Sequence, residues 1–311
     1  MLNRNYIFPF FISLSGYVFM VSMDTVIKVL GSNYPILQLL FLNALFSLIP
    51  LTFFIIKNHG LQFYLNQNYK FQLIRGIIHS FGFLFVLMGV LKLPLSVVYP
   101  VLFSSPLMLL VMSHFFLDEN INIIRITAIF LGFLGVIISA EPFGSNEVSM
   151  VGVFFVFIGA FCIALTNLIT RKYSALSSSF SASFFSMVVS VIAFLFAMKF
   201  SFVSMTFSDL LLSMFGGIIA GLGISAIVYG SRMLPASIYG MTSYFQLIYG
   251  VILGWLVFQQ LPTIFNYVGI VFVFSAGILL FYFDKNKNET SNNYSFNHSF
   301  TFFLSNFCFS F

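Results

Sequence analysis

The sequence predicts an all-α polytopic membrane protein: ten transmembrane helices, arranged as two five-helix inverted repeats. Three observations carry this. The chain is 60% hydrophobic and only 7% charged, with a mean hydropathy of +1.04, whereas a soluble domain carries about 25% charged residues. Ten apolar runs are each long enough to cross a bilayer, which takes about 20 residues. And one stretch occurs twice. Arg75 to Ser96, RGIIHSFGFLFVLMGVLKLPLS, shifted by 141 positions, lands on Gly216 to Ser237, GGIIAGLGISAIVYGSRMLPAS, with eight identities in 22 positions. Chance would give about two, so duplication is the better reading.

The same composition excludes other classes. A membrane β-barrel would alternate apolar and polar residues, and here the apolar runs are continuous. The net charge of +5 is spread over loops and is no nucleic-acid footprint. Cys162 and Cys308 lie in an apolar run and in the tail, so neither a disulfide framework nor a metal site is expected. The first apolar run follows Arg4, lacks a small-residue cleavage site and reads as a retained span.

In chain order the expected spans cover 7–30, 35–56, 71–92, 95–117, 122–140, 149–170, 179–199, 208–231, 236–258 and 264–283. Most links are short, so successive helices form antiparallel hairpins. Pro35, Pro94 and Pro235 fall at helix starts, where a missing N–H costs nothing. The polar connector EPFGSNE, Glu141 to Glu147, divides the chain into a first repeat, 7–140, and a second, 149–283. Residues 284–311 are expected to form a polar, then aromatic, cytoplasmic tail. Its stretch His298 to Phe311 is too short to span and suited to the membrane surface.

Lys and Arg set the orientation. With the N-terminus inside, Arg4, Lys57, Lys70, Arg75, Arg125, Arg171, Lys172, Arg232, Lys285 and Lys287 are cytoplasmic, and only Lys28, Lys92 and Lys199 are outside. Both termini are therefore expected in the cytoplasm of a cell with the protein in its inner membrane. Five spans per repeat is an odd number, so the second copy enters the membrane the other way up. That is the inverted architecture of secondary transporters, with a substrate site near the midplane. Gly82 and Gly89 match Gly223 and Gly230, seven residues apart on one helix face in both copies. Small residues let helices approach closely, so these glycines are expected at the interface between halves. A second match, at an offset of 143, sets Gly16, Asp24 and Lys28 against Gly159, Asn167 and Arg171.

Candidate functional residues follow from depth and polarity. Asp24 is the one acid well inside a span, and a buried carboxylate in a membrane helix is costly enough to suggest function. Two readings stand. Asp24 either faces a cationic substrate or coupling proton, or is simply neutralised by Lys28 one turn later. His79 lies two turns into its helix and could relay protons, but its repeat partner is Ala220, so the fold does not require it. His114 is expected at the interface, and Asp118 and Glu119 at the cytoplasmic face, paired with Arg125. Arg75 reads as a cytoplasmic anchor. Pro100 and Pro106 should kink the fourth helix beside a cavity, with Tyr99, Ser104 and Ser105 lining it. Tyr239, Tyr244, Gln246 and Tyr249 form the corresponding set in the ninth helix, and Asn167 is a weaker candidate in the sixth. His79 against Ala220 and Met88 against Tyr229 are differences between the copies where specificity should lie. No HExxH, CxxC, GxSxG or GxxxxGK[ST] motif appears, so neither an enzyme, nor a cofactor, nor ATP drive is expected.

A basic residue ending helices one and six, Arg75-Gly76 opening helix three, LPLS before helix four, Pro106 within it and FLDEN closing it resemble the EamA-like branch of the drug/metabolite transporter superfamily over residues 7–283. The second half departs from the pattern, with Gln259-Gln260 where the first has Asp118-Glu119. The resemblance implies secondary transport of a small metabolite. The segment SMDTVIKVLG, Ser22 to Gly31, is also similar to helix one of S-adenosylmethionine uptake carriers within that superfamily, a cationic substrate that would suit an acid. The expected partners are thus a small-molecule substrate and the lipid bilayer, without nucleic acid. Helices five and ten are expected at the periphery, where they offer a face for a homodimer. The rival class is a non-transporting membrane protein, an enzyme or a scaffold.

Overall fold

The computed structural model describes residues 4–59, 68–117, 123–140, 149–172, 179–199, 202–234 and 242–290. Eleven helices fall within them: α1 (Arg4–Leu30), α2 (Ile36–His59), α3 (Tyr69–Lys92), α4 (Leu95–Leu102), α5 (Ser104–Leu117), α6 (Ile123–Ser139), α7 (Met150–Lys172), α8 (Ser179–Ala197), α9 (Phe207–Met233), α10 (Phe245–Phe258) and α11 (Ile264–Thr290). Helices α4 and α5 are two halves of one span broken at Phe103, which leaves ten spans, the number expected. Seven are long and apolar enough to cross a membrane outright, and three shorter apolar helices, 126–139, 245–258 and 264–279, make up the rest. Large apolar side chains such as Phe8, Phe53 and Phe130 stay exposed around the outside. In water such a surface would aggregate; in lipid it is the contact surface.

The break at Phe103 has a covalent cause. Pro100 cannot donate to the carbonyl one turn back and neither can Pro106, so the ladder is interrupted twice across this point. The ninth span breaks at Tyr244, just before α10, without a proline. Tyr244 is the residue 141 positions after Phe103. The two rings stack on each other, 5.1 Å between centroids and 28° between planes. Repeat-related residues touch in this way only where they lie against the axis that relates the repeats.

The repeats are interleaved. Helix α1 packs chiefly on α9, from the other half, and α7 packs on α3 in the equivalent manner; α2 lies against α8 and α9. The glycines explain the closeness. A β-carbon on Gly16 would come 2.8 Å from the Gly223 carbonyl oxygen, and one on Gly159 would come 3.1 Å from that of Gly82. These two crossings are the same crossing, since Gly16 and Gly159 are related by 143 positions and Gly82 and Gly223 by 141. Gly89 sits against Val156, and Gly230 against Ser13, again an equivalent pair. The four glycines singled out in the sequence lie, as expected, between the two halves.

Two expectations need correction. Arg75 is not an interfacial anchor. Its side chain is fully buried between α3, α7 and α8. Its Nε donates to Thr170 Oγ1 at 2.6 Å, and Nη1 donates to the Ala182 carbonyl and to Ser186 Oγ. Gln72 to Ser181 (2.9 Å) and Ser80 with Ser190 (2.9 Å) extend this polar ladder along the α3–α8 contact. Hydrogen bonds between helices are a main adhesive where lipid removes the hydrophobic drive to associate. The fifth and tenth spans are neighbours. Helices α6 and α11 pack on each other, with Gly269 against the Gly135 carbonyl so closely that a β-carbon would lie 2.6 Å from it. The other correction concerns the polar segment after residue 284, which does not leave the helix at once: α11 runs to Thr290. A helix already nucleated adds residues at little cost even when they are polar. Asp118, Glu119, the 141–147 connector, Pro235 and 291–311 lie outside the described residues.

The ends of the spans opposite the N-terminus are heavily tied. Tyr34 Oη donates to Asp209 Oδ2 (2.7 Å), and Gln38 exchanges two 2.9 Å hydrogen bonds with the backbone of Val203. Asn266 accepts from Ser96 Oγ and donates to the Ser139 carbonyl (3.1 and 3.0 Å), joining α4, α6 and α11.

Candidate functional site

The site is built where α1 crosses the first half of the broken span. Asp24 lies on the inward face of α1 and is 1% exposed. Tyr99, on α4, is equally buried, and its hydroxyl donates to Asp24 Oδ2 at 2.8 Å. The other carboxylate oxygen, Oδ1, is buried with no hydrogen-bond partner. A carboxylate in this setting has had its water removed and only one of its oxygens satisfied, a costly arrangement. Gly250 on α10 lies against the Tyr99 ring, where a β-carbon would overlap it. Close by, Ser22 and Tyr249 hydroxyls approach to 3.5 Å. The site thus draws on α1, α4 and α10, from both repeats.

Lys28 does not neutralise Asp24. Its Nζ donates to the Leu93 carbonyl, in the turn between α3 and α4, and lies 5.0 Å from the centroid of the Phe258 ring. Capture of an ammonium over an aromatic face with a carbonyl beside it is a favourable, partly dry arrangement. The reading in which Lys28 pairs with Asp24 is therefore overturned: the aspartate's partner comes from another helix, 75 residues away in the chain.

The other candidates separate into groups. Ser104 and Ser105, in the first turn of α5, are 0% and 1% exposed. Gln246, the repeat counterpart of Ser105, is also buried, in the first turn of α10. His79 is buried on α3 beside Phe83, 6.1 Å between ring centroids. Tyr229 is half-buried on α9. Tyr244 is occupied otherwise than expected: besides stacking on Phe103 it packs edge-on against Phe274 of α11, 4.7 Å between centroids. Asn167 is buried on α7. His114 is exposed, as expected. Tyr239 lies outside the described residues. Among the described residues, no group of three or more His, Cys, Asp and Glu is placed to hold a metal ion. Gly250 and the Phe103–Tyr244 stack were not picked out from sequence, although the offset of 141 pairs the two rings directly.

Comparison with known proteins adds the decisive fact. The model of the EamA-like transporter family matches residues 8–140 and again residues 150–283. The chain belongs to the EamA-like transporter family. As an EamA-like protein it is a multi-pass membrane transporter of a small metabolite and not an enzyme. Two curated relatives come from Rickettsia bellii and Rickettsia conorii, each called S-adenosylmethionine uptake transporter. Each is 24% identical over 262 residues, covering 84% of this chain and 89% and 88% of the relative. A solved crystal structure shares the fold, with a TM-score of 0.62 at 14% identity over 89% of this chain and 98% of that one.

Proposed function

We propose that this EamA-like protein takes up S-adenosylmethionine, or another small cationic metabolite, across the bacterial inner membrane by alternating access without ATP. The observation that carries the reading is the Asp24 carboxylate, buried, held by Tyr99 and with one oxygen free of hydrogen bonds. A cation is the ligand such a group favours, because it replaces the lost hydration of the charge. The relatives named for S-adenosylmethionine uptake support the substrate class. Glycine contacts at the two crossings hold α1 close to α9 and α3 close to α7, so each pair is proposed to move as a unit. His79, Gln246 and Tyr229 are proposed as further contacts on the substrate path, and Pro100 and Pro106 as the fixed break about which α4 and α5 reorient.

The test is uptake of labelled S-adenosylmethionine by cells expressing the full chain. Saturable uptake above that of the empty host is expected. Absence of saturable transport in either direction, for S-adenosylmethionine and for a panel of small organic cations, would sink the reading. Both termini are proposed to be cytoplasmic. A topology reporter fused after Thr290 should read as cytoplasmic, and one inserted within 142–146 as external; a cytoplasmic signal at 142–146 would refute the inverted arrangement.

A further inference from the structure

We propose that the first turn of α5 is a carboxylate subsite, so that the substrate is a zwitterion of the α-amino-acid type rather than a plain cation. The inference rests on the reading of Asp24 as the cation site. Ser104 and Ser105 are 0% and 1% exposed, and neither Oγ has a hydrogen-bond partner. Buried hydroxyls rarely stay unpaired, and each exception calls for a reason. Several other hydroxyls in this bundle use the usual remedy, though Ser139 Oγ is also unpaired. Ser22, Thr25, Ser80, Ser186 and Ser225 each donate to the carbonyl four residues back. Ser104 and Ser105 do not, although both are helical.

What distinguishes them is position. They open a 14-residue helix that starts inside the bundle, after the break at Phe103. A helix N-terminus carries partial positive charge and favours an anion. Discontinuous helices in transporters aim such ends at anionic groups of the substrate. Two hydroxyls with their protons uncommitted complete the set of donors a carboxylate needs. Five residues separate Ser104 from Tyr99, which holds Asp24. That is about 7.5 Å of helix rise, short enough for one small molecule to reach both with groups of opposite charge. The repeat counterparts of the two serines are Phe245 and Gln246. The hydroxyl pair therefore occurs in the first repeat alone, and each chain has one such subsite.

Purified full-length protein tests this through the ligand-induced rise in its melting temperature. The probes are two pairs differing in one carboxylate: S-adenosylmethionine against its decarboxylated form, and methionine against methioninamide. In the wild type the carboxylate-bearing member of a pair should half-saturate at a concentration at least tenfold lower. In the Ser104→Ala/Ser105→Ala double variant that ratio should fall to within twofold. The ligand-free melting temperature should be unchanged or higher, because no hydrogen bond is lost. If the double variant does not fold, each single variant reads the same ratio. Equal affinities within both pairs in the wild type, or a tenfold preference retained by the variants, would overturn the subsite. Uptake without carboxylate preference sinks the subsite alone, whereas preference without uptake sinks the transport reading alone.

Discussion

Replacing Asp24 by Asn should cut S-adenosylmethionine uptake at least tenfold while leaving the protein folded and in the membrane. The carboxamide keeps the shape of the side chain and can still accept the Tyr99 hydroxyl hydrogen bond, at 2.8 Å in the wild type. Only the charge goes. A pair of unit charges at 4 Å is worth about 4 kcal/mol at an effective dielectric constant of 20. Losing a third of that already accounts for about tenfold, since about 1.4 kcal/mol is one decade. Tyr99→Phe removes one hydrogen bond and keeps the charge, so its effect should be smaller, a few-fold. The measurement is initial uptake rate against substrate concentration, normalised to the amount of protein in the membrane. A rise in the half-saturating concentration at constant maximal rate places Asp24 in recognition; a fall in the maximal rate places it in the conformational step. Unchanged kinetics in Asp24→Asn would remove the residue from the mechanism.

Gly221→Ala should be strongly destabilising. On α9, its β-carbon would run into the Ser47 carbonyl of α2 and come 2.5 Å from Pro50 Cγ and 3.0 Å from the Ser47 carbonyl carbon. Backbone cannot swing aside as a flexible side chain can, so the helices must separate. Overpacking of this kind costs about 1–3 kcal/mol, enough for a clear loss of melting temperature and of monodisperse yield in detergent. Gly254→Ala is the control. Its added methyl would find Leu95 Cβ at 3.8 Å, an ordinary contact. Alanine also favours helix over glycine by about 0.8–1 kcal/mol, so this variant should match or exceed the wild type. Equal stability of the two variants would show that the α2–α9 contact is looser than its geometry says.

The repeat was the most legible part of the sequence because duplication leaves identities at a constant offset. The glycines survived in both copies, and the structure puts them at equivalent crossings. The ten spans were legible because lipid demands long apolar runs, and the break in the fourth because proline lacks a donor. What stayed hidden was direction around each helix axis. Arg75 lies near a span end, where arginine commonly anchors to lipid headgroups, and nothing in a linear count reveals that its guanidinium turns inward to Thr170, Ser186 and Ala182. Lys28 and Asp24 have the spacing of an ion pair, yet each takes a partner from elsewhere in the chain, Lys28 from the α3–α4 turn and Asp24 from α4, which only tertiary packing decides. Asp24 itself was found from depth alone; Tyr99 was named, but not as its partner. The two serines of α5 were seen as polar residues near a kink. That their hydroxyls are uncommitted is a property of the packed bundle.

The interleaving of the halves bears on how the protein is made. Ser13 of α1 bonds to Thr242, 229 residues later in the chain, and the glycine face of α1 rests on α9. During synthesis the first helix enters the bilayer long before its main neighbour exists, and α3 likewise waits for α7. Until then those faces must be left to lipid or shielded by the insertion machinery. A ribosome that stalls after the fifth span therefore leaves a fragment in which α1 lacks α9 and α3 lacks α7. Such a fragment should be a substrate for membrane quality control rather than a half-transporter, and assembly of this bundle becomes a late event, completed only near the end of translation.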